Sequence, residues 1–218
     1  MGESRVVHLM RHGQVHNPDG VLYGRLAGYG LSELGHRMAE RMSTYWAEAP
    51  LTHLRCSPLQ RAQETLAPTA ARFPGLEIVT DDRVIEADNV FEGRVFGSSN
   101  GPLRDPAMLR HVLNPLRPSW GEPYVEIAAR MRGAIADAAE AAGDGGQALV
   151  VAHQLPIWIA RCDAEGRAFA HDPRRRECTL ASVTSLTLRD GHITAIDYTE
   201  PVADLLPQHR GRAFKVGT

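Results

Sequence analysis

The chain has 218 residues, 43% of them hydrophobic, enough to bury one substantial core. Its net charge of −2 provides no general field that would draw it to nucleic acid or to an anionic membrane. The scattered Cys56, Cys162 and Cys178 show neither zinc spacing nor a disulfide framework, and no long apolar run or leader-like start marks a membrane or secretory route, so a cytoplasmic protein is expected.

Val6-Val7-His8-Leu9-Met10 is an apolar, strand-like run that stops at Arg11-His12-Gly13. Such an ending sets a cation and an imidazole at a sheet edge, where open α/β sheets hold ligands. A loop rich in breakers follows through Asn17-Pro18-Asp19-Gly20, Gly24, Gly28 and Gly30. Ser32 reads as the N-cap of a helix whose stripe is Leu34, Met38, Met42 and Tyr45-Trp46. Residues 51–56 form a second strand. Ser57 and Pro58 read as the cap and first residue of the next helix, with Arg61 on its first turn and Pro68 expected to kink it or end it early.

Residues 76–79 read as a third strand, leading to Asp81-Asp82-Arg83-Val84-Ile85-Glu86. From 87 to 122 the period is lost. A short helix around 106–113 is expected, and the segment, with Trp120, is a candidate lid or substrate-selecting excursion. Tyr124, Ile127, Met131, Ile135 and Ala138 trace an amphipathic helix closed by Gly143. Residues 148–152 make a wholly apolar strand ending on His153, and Pro156 opens another helix. Arg174-Arg175-Arg176 reads as a solvated face, and His36, His111, His171, His192 and His209 as surface residues. Residues 182–188 and 193–198, joined across Asp190-Gly191, read as a hairpin with a primed turn. From Pro201 the chain reads as a loose tail carrying Arg210, Arg212 and Lys215 in solvent.

Strands and helices alternate and end in a hairpin. The pattern predicts an α/β fold, a three-layer α/β/α sandwich with a mostly parallel central sheet and a C-terminal β-hairpin. One domain over residues 1–200 and a tail over 201–218 are expected.

Two apolar strands far apart in sequence each end on a histidine, His12 and His153. Arg11 and Arg61 lie at a strand end and a helix start, so parallel strands would bring all four groups to one sheet edge. Two guanidinium forks beside a helix N-terminus suit a tetrahedral oxyanion, phosphate above all. An imidazole inside such a site can accept a phosphoryl group. The four-residue spacing of His12 and His16 could suggest a metal pair, but Gly13 and Asn17-Pro18 argue against a helix there.

The motif Leu9-Met10-Arg11-His12-Gly13, the run from Ser57 through Arg61 to Thr65, and His153 after its strand resemble the histidine phosphatase superfamily. The likeness is to its phosphoglycerate-mutase-like group, including the alpha-ribazole and broad-specificity phosphatase branch. Gly24-Arg25, Leu31-Ser32-Glu33-Leu34-Gly35, Asp81-x-Arg83-Val84-x-Glu86 and Phe91-Glu92-Gly93 extend the match over roughly residues 5–198. The resemblance implies that His12 becomes a phosphohistidine while Arg11, Arg61 and His153 hold the phosphate oxygens. It implies that Glu86, rather than Asp88 or Glu92, is the general acid and base, and that Gly13, Asn17, Gly24, Arg25 and Gln154 line the substrate site. Asn17 stands one position earlier than the family's usual asparagine, and Gln154 replaces its usual glycine.

The short chain between Glu86 and His153 looks like the phosphatase branch rather than a mutase with its longer insertion. Hydrolysis of small phosphate monoesters is expected; the alternatives are phosphoglycerate mutase-type transfer and a non-catalytic phosphate-binding module. The resemblance implies neither metal nor other cofactor. The expected partner is a small phosphorylated metabolite, with no nucleic acid and no membrane, and a homodimer is admitted.

Overall fold

The computed structural model describes residues 3–95 and 121–206. The expected helix around 106–113, the candidate lid, Trp120, His111, His209 and the cations Arg210, Arg212 and Lys215 lie outside the described residues. Within them run β1 (Arg5–Arg11), α1 (Glu33–Tyr45), β2 (Leu51–Cys56), α2 (Gln60–Ala70), β3 (Ile78–Thr80), α3 (Tyr124–Ala142), β4 (Gln147–Ala152), α4 (Gln154–Ala164), β5 (Val183–Arg189) and β6 (His192–Thr199).

The strands form one sheet in the order β3-β2-β4-β1-β5-β6. β3, β2, β4 and β1 are parallel, while β5 and β6 run antiparallel to their neighbours. The hairpin turns on Asp190 and Gly191, whose φ values of 49° and 79° give the primed geometry that suits strand twist. Side-chain alternation along the buried strands divides the core in two. Val7, Leu9, Ala148 and Val150 pack against Ile127, Met131, Ile135 and Ile157 of α3 and α4. On the other face, Met10, Leu54, Leu149 and Val151 meet Met38, Met42 and Leu66 of α1 and α2. This is the three-layer sandwich that the alternation of elements predicts.

Several local expectations are corrected. α2 starts at Gln60 with Leu59 as its cap residue, because the Ser57 hydroxyl turns to His153 and Pro58 stays outside the helix. Pro68 sits inside the last turn of α2 without ending it at once; so near the C-terminus its missing N–H removes a single bond. α4 begins at Gln154, before Pro156, which occupies the first turn, where no N–H is needed. Tyr45 lies exposed beside the buried Trp46. The chain past Pro201 is not loose at its start: Val202 is fully buried in the α1/α2 half of the core, and Leu205 and Leu206 pack on it. His171 is half-buried between Tyr124 and Trp158, whereas His36 and His192 are exposed. No helix among the described residues is long and apolar enough to cross a membrane.

Candidate active site

Parallel pairing sets the C-terminal ends of β2, β4 and β1 side by side. The β1–β4 register ends with Arg11 opposite Ala152, so His12 and His153 leave the sheet together. The His12 N–H donates to the Ala152 carbonyl at 3.2 Å, and the Ser57 N–H donates to the Val151 carbonyl at 3.0 Å. Ser57, His153 and His12 therefore stand in a row on the sheet's edge. The two imidazole centroids are 5.1 Å apart, and both rings are buried.

Each ring has a defined neighbour. His12 Nδ1 lies 2.8 Å from the Gly13 carbonyl oxygen, which can only accept, so Nδ1 carries the hydrogen and Nε2 the lone pair. Arg61 Nε donates to that lone pair at 3.3 Å. His153 Nε2 is 2.7 Å from Ser57 Oγ, while His153 Nδ1 and Arg11 Nε are buried with no partner among the described residues. Burial, then repulsion by Arg61 and Arg11, holds His12 well below the ordinary histidine value. Burial also dominates for His153, with Arg61, His12 and Arg11 adding to it. Both imidazoles are neutral at neutral pH.

The cations are anchored through backbone carbonyls rather than carboxylates. Arg11 Nη1 donates to the Cys178 carbonyl at 2.9 Å. Arg61, on the first turn of α2 and 1% exposed, donates from Nη2 to the Gly24 carbonyl at 2.7 Å and lies 4.7 Å over the Tyr23 ring. Thr65, one turn on, donates to the Arg61 carbonyl and accepts from the Gly13 N–H. Guanidinium charge thus converges on two neutral imidazoles, an arrangement complementary to a phosphoryl group.

The expected substrate-lining residues divide. Gly13 has both backbone groups engaged, and a Cβ there would meet the Gly35 carbonyl oxygen at 2.9 Å; it packs the loop after β1 against α1. Asn17 closes its own loop, accepting from the Val21 N–H and donating to the Val21 carbonyl. Arg25 straps the acidic segment, donating to the Glu86 carbonyl at 2.7 Å and pairing with Glu122. Gly24 carries the carbonyl that holds Arg61. Gln154 donates to the Cys178 carbonyl and accepts from Arg176, both at 3.3 Å.

Of the three nearby carboxylates, Asp88 is exposed and Glu92 accepts from the Arg25 N–H at 2.9 Å. Burial is the chief cause of a raised Glu92 carboxyl, with Asp88 and Glu86 adding to it. Glu86 is half-buried, accepts from the Ala87 N–H at 2.9 Å and acts electrostatically on Arg61 and Tyr23. Arg130 fixes its segment: it grips Glu122 with two donors and also donates to the Arg83 and Ile85 carbonyls.

Sequence reasoning misses Ser57 as the partner of His153, Tyr23 beneath Arg61, the Glu122–Arg130 clamp, and Arg176. Arg174 pairs with Asp172 at the surface and Arg175 is exposed, but Arg176 turns inward, correcting the reading of that run as wholly solvated. The available signal for Ser57 was its place directly after β2, level with the end of β4.

The sequence matches the family model of the histidine phosphatase superfamily (branch 1) over residues 7–200, and the chain belongs to that superfamily. Its chemistry is phosphoryl transfer of the phosphatase or mutase type. An uncharacterized protein of Mycobacterium tuberculosis, Rv0525, is 48% identical over 203 residues, covering 93% of this chain and all of its own length. Among solved structures, YhfR of Bacillus stearothermophilus superposes with a TM-score of 0.73 at 21% identity, covering 87% of this chain and 94% of that one. The mycobacterial glucosyl-3-phosphoglycerate phosphatase Rv2419c, in complex with VO3, superposes with a TM-score of 0.70 at 25% identity, covering 89% and 96%.

Proposed function

We propose that the protein is a phosphatase that hydrolyses small-molecule phosphate monoesters through a phosphohistidine on His12. The observation that carries this reading is the state of His12: Nδ1 pinned by the Gly13 carbonyl, Nε2 unprotonated, and Arg61 Nε 3.3 Å from that lone pair. The nucleophile is ready without a separate base, and the cation that will neutralise the phosphate already touches it.

On binding of a phosphate monoester, Arg61 shifts its Nε–H from His12 to a phosphate oxygen, and Arg11 supplies its free Nε–H. If the Ser57 hydroxyl donates to His153 Nε2, the remaining hydrogen of that ring lies on Nδ1 and gives a third donor. His12 Nε2 forms a bond to phosphorus as the ester P–O bond breaks, and Glu86 gives its proton to the departing alkoxide. Water then attacks phosphorus, Glu86 takes the proton, and the P–N electrons return to Nε2. The phosphate dianion opposes the repulsion that Arg61 and Arg11 exert on both imidazoles, so charge is most nearly balanced in the loaded site. The short connection between Glu86 and His153 favours hydrolysis over mutase-type transfer, because it leaves little chain to enclose an intermediate.

The test is steady-state hydrolysis of p-nitrophenyl phosphate in EDTA by wild type and His12→Ala, with acid-quench trapping of phosphate-labelled protein. Turnover and label in wild type, both absent from the variant, are expected. A labelled His12→Ala chain, or an inert wild type, overturns the proposal. Phosphoglycerate isomerisation stimulated by a bisphosphorylated primer would move the reading to mutase.

A further inference from the structure

Arg176 is the half-buried cation of the site for which phosphoryl transfer through His12 has no use. Its Nε donates to His171 Nε2 at 2.8 Å and its Nη1 to Gln154 Oε1 at 3.3 Å. No carboxylate pairs with it among the described residues, whereas nearby Arg161 pairs with Glu165 and Glu177 and Arg174 with Asp172. A guanidinium withdrawn from water with only neutral acceptors carries an uncompensated desolvation cost. Such a group is suited to an anion that arrives from outside.

Its place relative to the reaction centre is given by one chain of hydrogen bonds. The Cys178 carbonyl accepts from Arg11 Nη1 and from Gln154 Nε2, and Gln154 Oε1 accepts from Arg176. Arg176 is therefore tied to the phosphate-binding Arg11 through Gln154 without joining it. The cations bearing most on His12 and His153 are Arg61 and Arg11. Burial pulls the Arg176 guanidinium below its ordinary value, with Arg11 adding to that and Tyr124, Glu86 and Cys178 opposing it. Outside its phosphoryl group a phosphate monoester has only its alcohol part, so an anion that reaches Arg176 while Arg11 holds the phosphate belongs to the leaving part.

We infer that Arg176, positioned by Gln154 and His171, recognises a second anionic group on the leaving part of the substrate, a carboxylate or a further phosphate. The inference rests on the assignment of His12 and Glu86 to the reaction. It makes the preferred substrate a phosphate monoester of an acidic molecule, and it gives Gln154 a task that a glycine could not perform.

The experiment measures binding as well as turnover. Wild type, Arg176→Met and Arg176→Lys are titrated calorimetrically with phosphonoacetate, 3-phosphonopropanoate and 4-phosphonobutanoate, and with alkylphosphonates of matching length. Propane-1,3-diphosphonate forms a separate arm. Wild type is expected to bind at least one phosphonocarboxylate or the diphosphonate about tenfold or more tighter than the alkyl control, as loss of a charge-assisted contact would imply. Arg176→Met should abolish that preference while leaving alkylphosphonate binding and the thermal midpoint unchanged, and Arg176→Lys should keep part of it. Preference for the carboxylate or for the second phosphonate identifies which anion the site takes. Equal losses for both ligand classes in Arg176→Met, or no preference in wild type, overturn the inference. If monoester hydrolysis fails but the Arg176-dependent preference is present, the reaction assignment falls and the anion site stands. Hydrolysis without the preference keeps the reaction assignment and removes the anion site.

Discussion

Replacing Ser57 by alanine removes the only side-chain hydrogen-bond partner that His153 has among the described residues. Both side chains are fully buried and their contact is 2.7 Å, so no solvent stands ready to replace the hydroxyl. An orphaned buried polar nitrogen costs about 1–3 kcal/mol, and for a chain of this size about 2 kcal/mol lowers the thermal midpoint by roughly 4–8 °C. The weaker contact from the Leu59 N–H to Ser57 Oγ at 3.3 Å is lost as well, with a small further effect. The larger consequence is for orientation, since the ring would keep neither tautomer nor tilt. With His153 holding phosphate as proposed, losing the partner that orients it should lower activity on the order of 10–100-fold, the scale for partners that orient metal-bound imidazoles, or roughly 1.4–2.7 kcal/mol of transition-state stabilisation. Steady-state hydrolysis of p-nitrophenyl phosphate by Ser57→Ala, read beside its melting curve, checks both figures. A variant that is less stable yet keeps kcat/KM within twofold of wild type would show that the hydroxyl only fills space.

Gly24→Ala drives a methyl into the Glu92 carboxylate at a residue with φ +37°; a loss of about 1–3 kcal/mol and a lower kcat/KM are expected, since the Gly24 carbonyl anchors Arg61. Glu92→Ala in the same chain should restore part of the melting temperature, and no recovery would place the strain elsewhere. Glu122→Gln removes the charge and one acceptor from the contacts with Arg130 and Arg25, costing about 1–3 kcal/mol; kcat should fall while product inhibition by phosphate is unchanged, and a loss of phosphate affinity alone would refute the clamp's link to Glu86. His12 and His153 are held well below the ordinary 6.5 in the folded chain, so below pH 6.5 the unfolded chain binds more protons. Stability is therefore lost as pH falls through 6.5, by up to about 1.4 kcal/mol per pH unit for each histidine. Melting curves of wild type and His153→Asn across that range should show a shallower slope in the variant, and equal slopes would assign the acid sensitivity to other buried groups.

The fold was legible because its signals are local and repeated. The apolar runs ending at Arg11 and His153, the Ser32 cap and the Asp190-Gly191 turn each carry their own physical reason, and parallel pairing brings the two histidines together. The failures share a different cause, competition among tertiary partners for one group. Ser57 satisfies every local rule for a helix cap, yet the hydroxyl turns to an imidazole 96 positions away. Arg176 sits in a run of three arginines whose composition says solvent, and only the packing of α4 and the approach of His171 and Gln154 draw its side chain inward. Arg25 illustrates the same limit from the other side. Its motif points to substrate, but its guanidinium is committed to the segment that carries Glu86.

A pocket that gathers guanidiniums around uncharged imidazoles and anchors them on carbonyls is unfavourable by itself, because like charges are held close and out of water. Carboxylate partners at Arg11 or Arg61 would relieve that cost, but they would also compete with an incoming phosphate for the same donors. Carbonyl anchors fix direction without cancelling charge. By the same logic, the carboxylates near the centre are restrained by the neighbouring backbone: Glu92 by the Arg25 N–H and Glu86 by the Ala87 N–H. The chain thus keeps its anions beside the cations and off them. That separation leaves the donors of Arg11 and Arg61 without a neutralising carboxylate among the described residues, and it explains why so many of the surrounding residues serve to hold others in place.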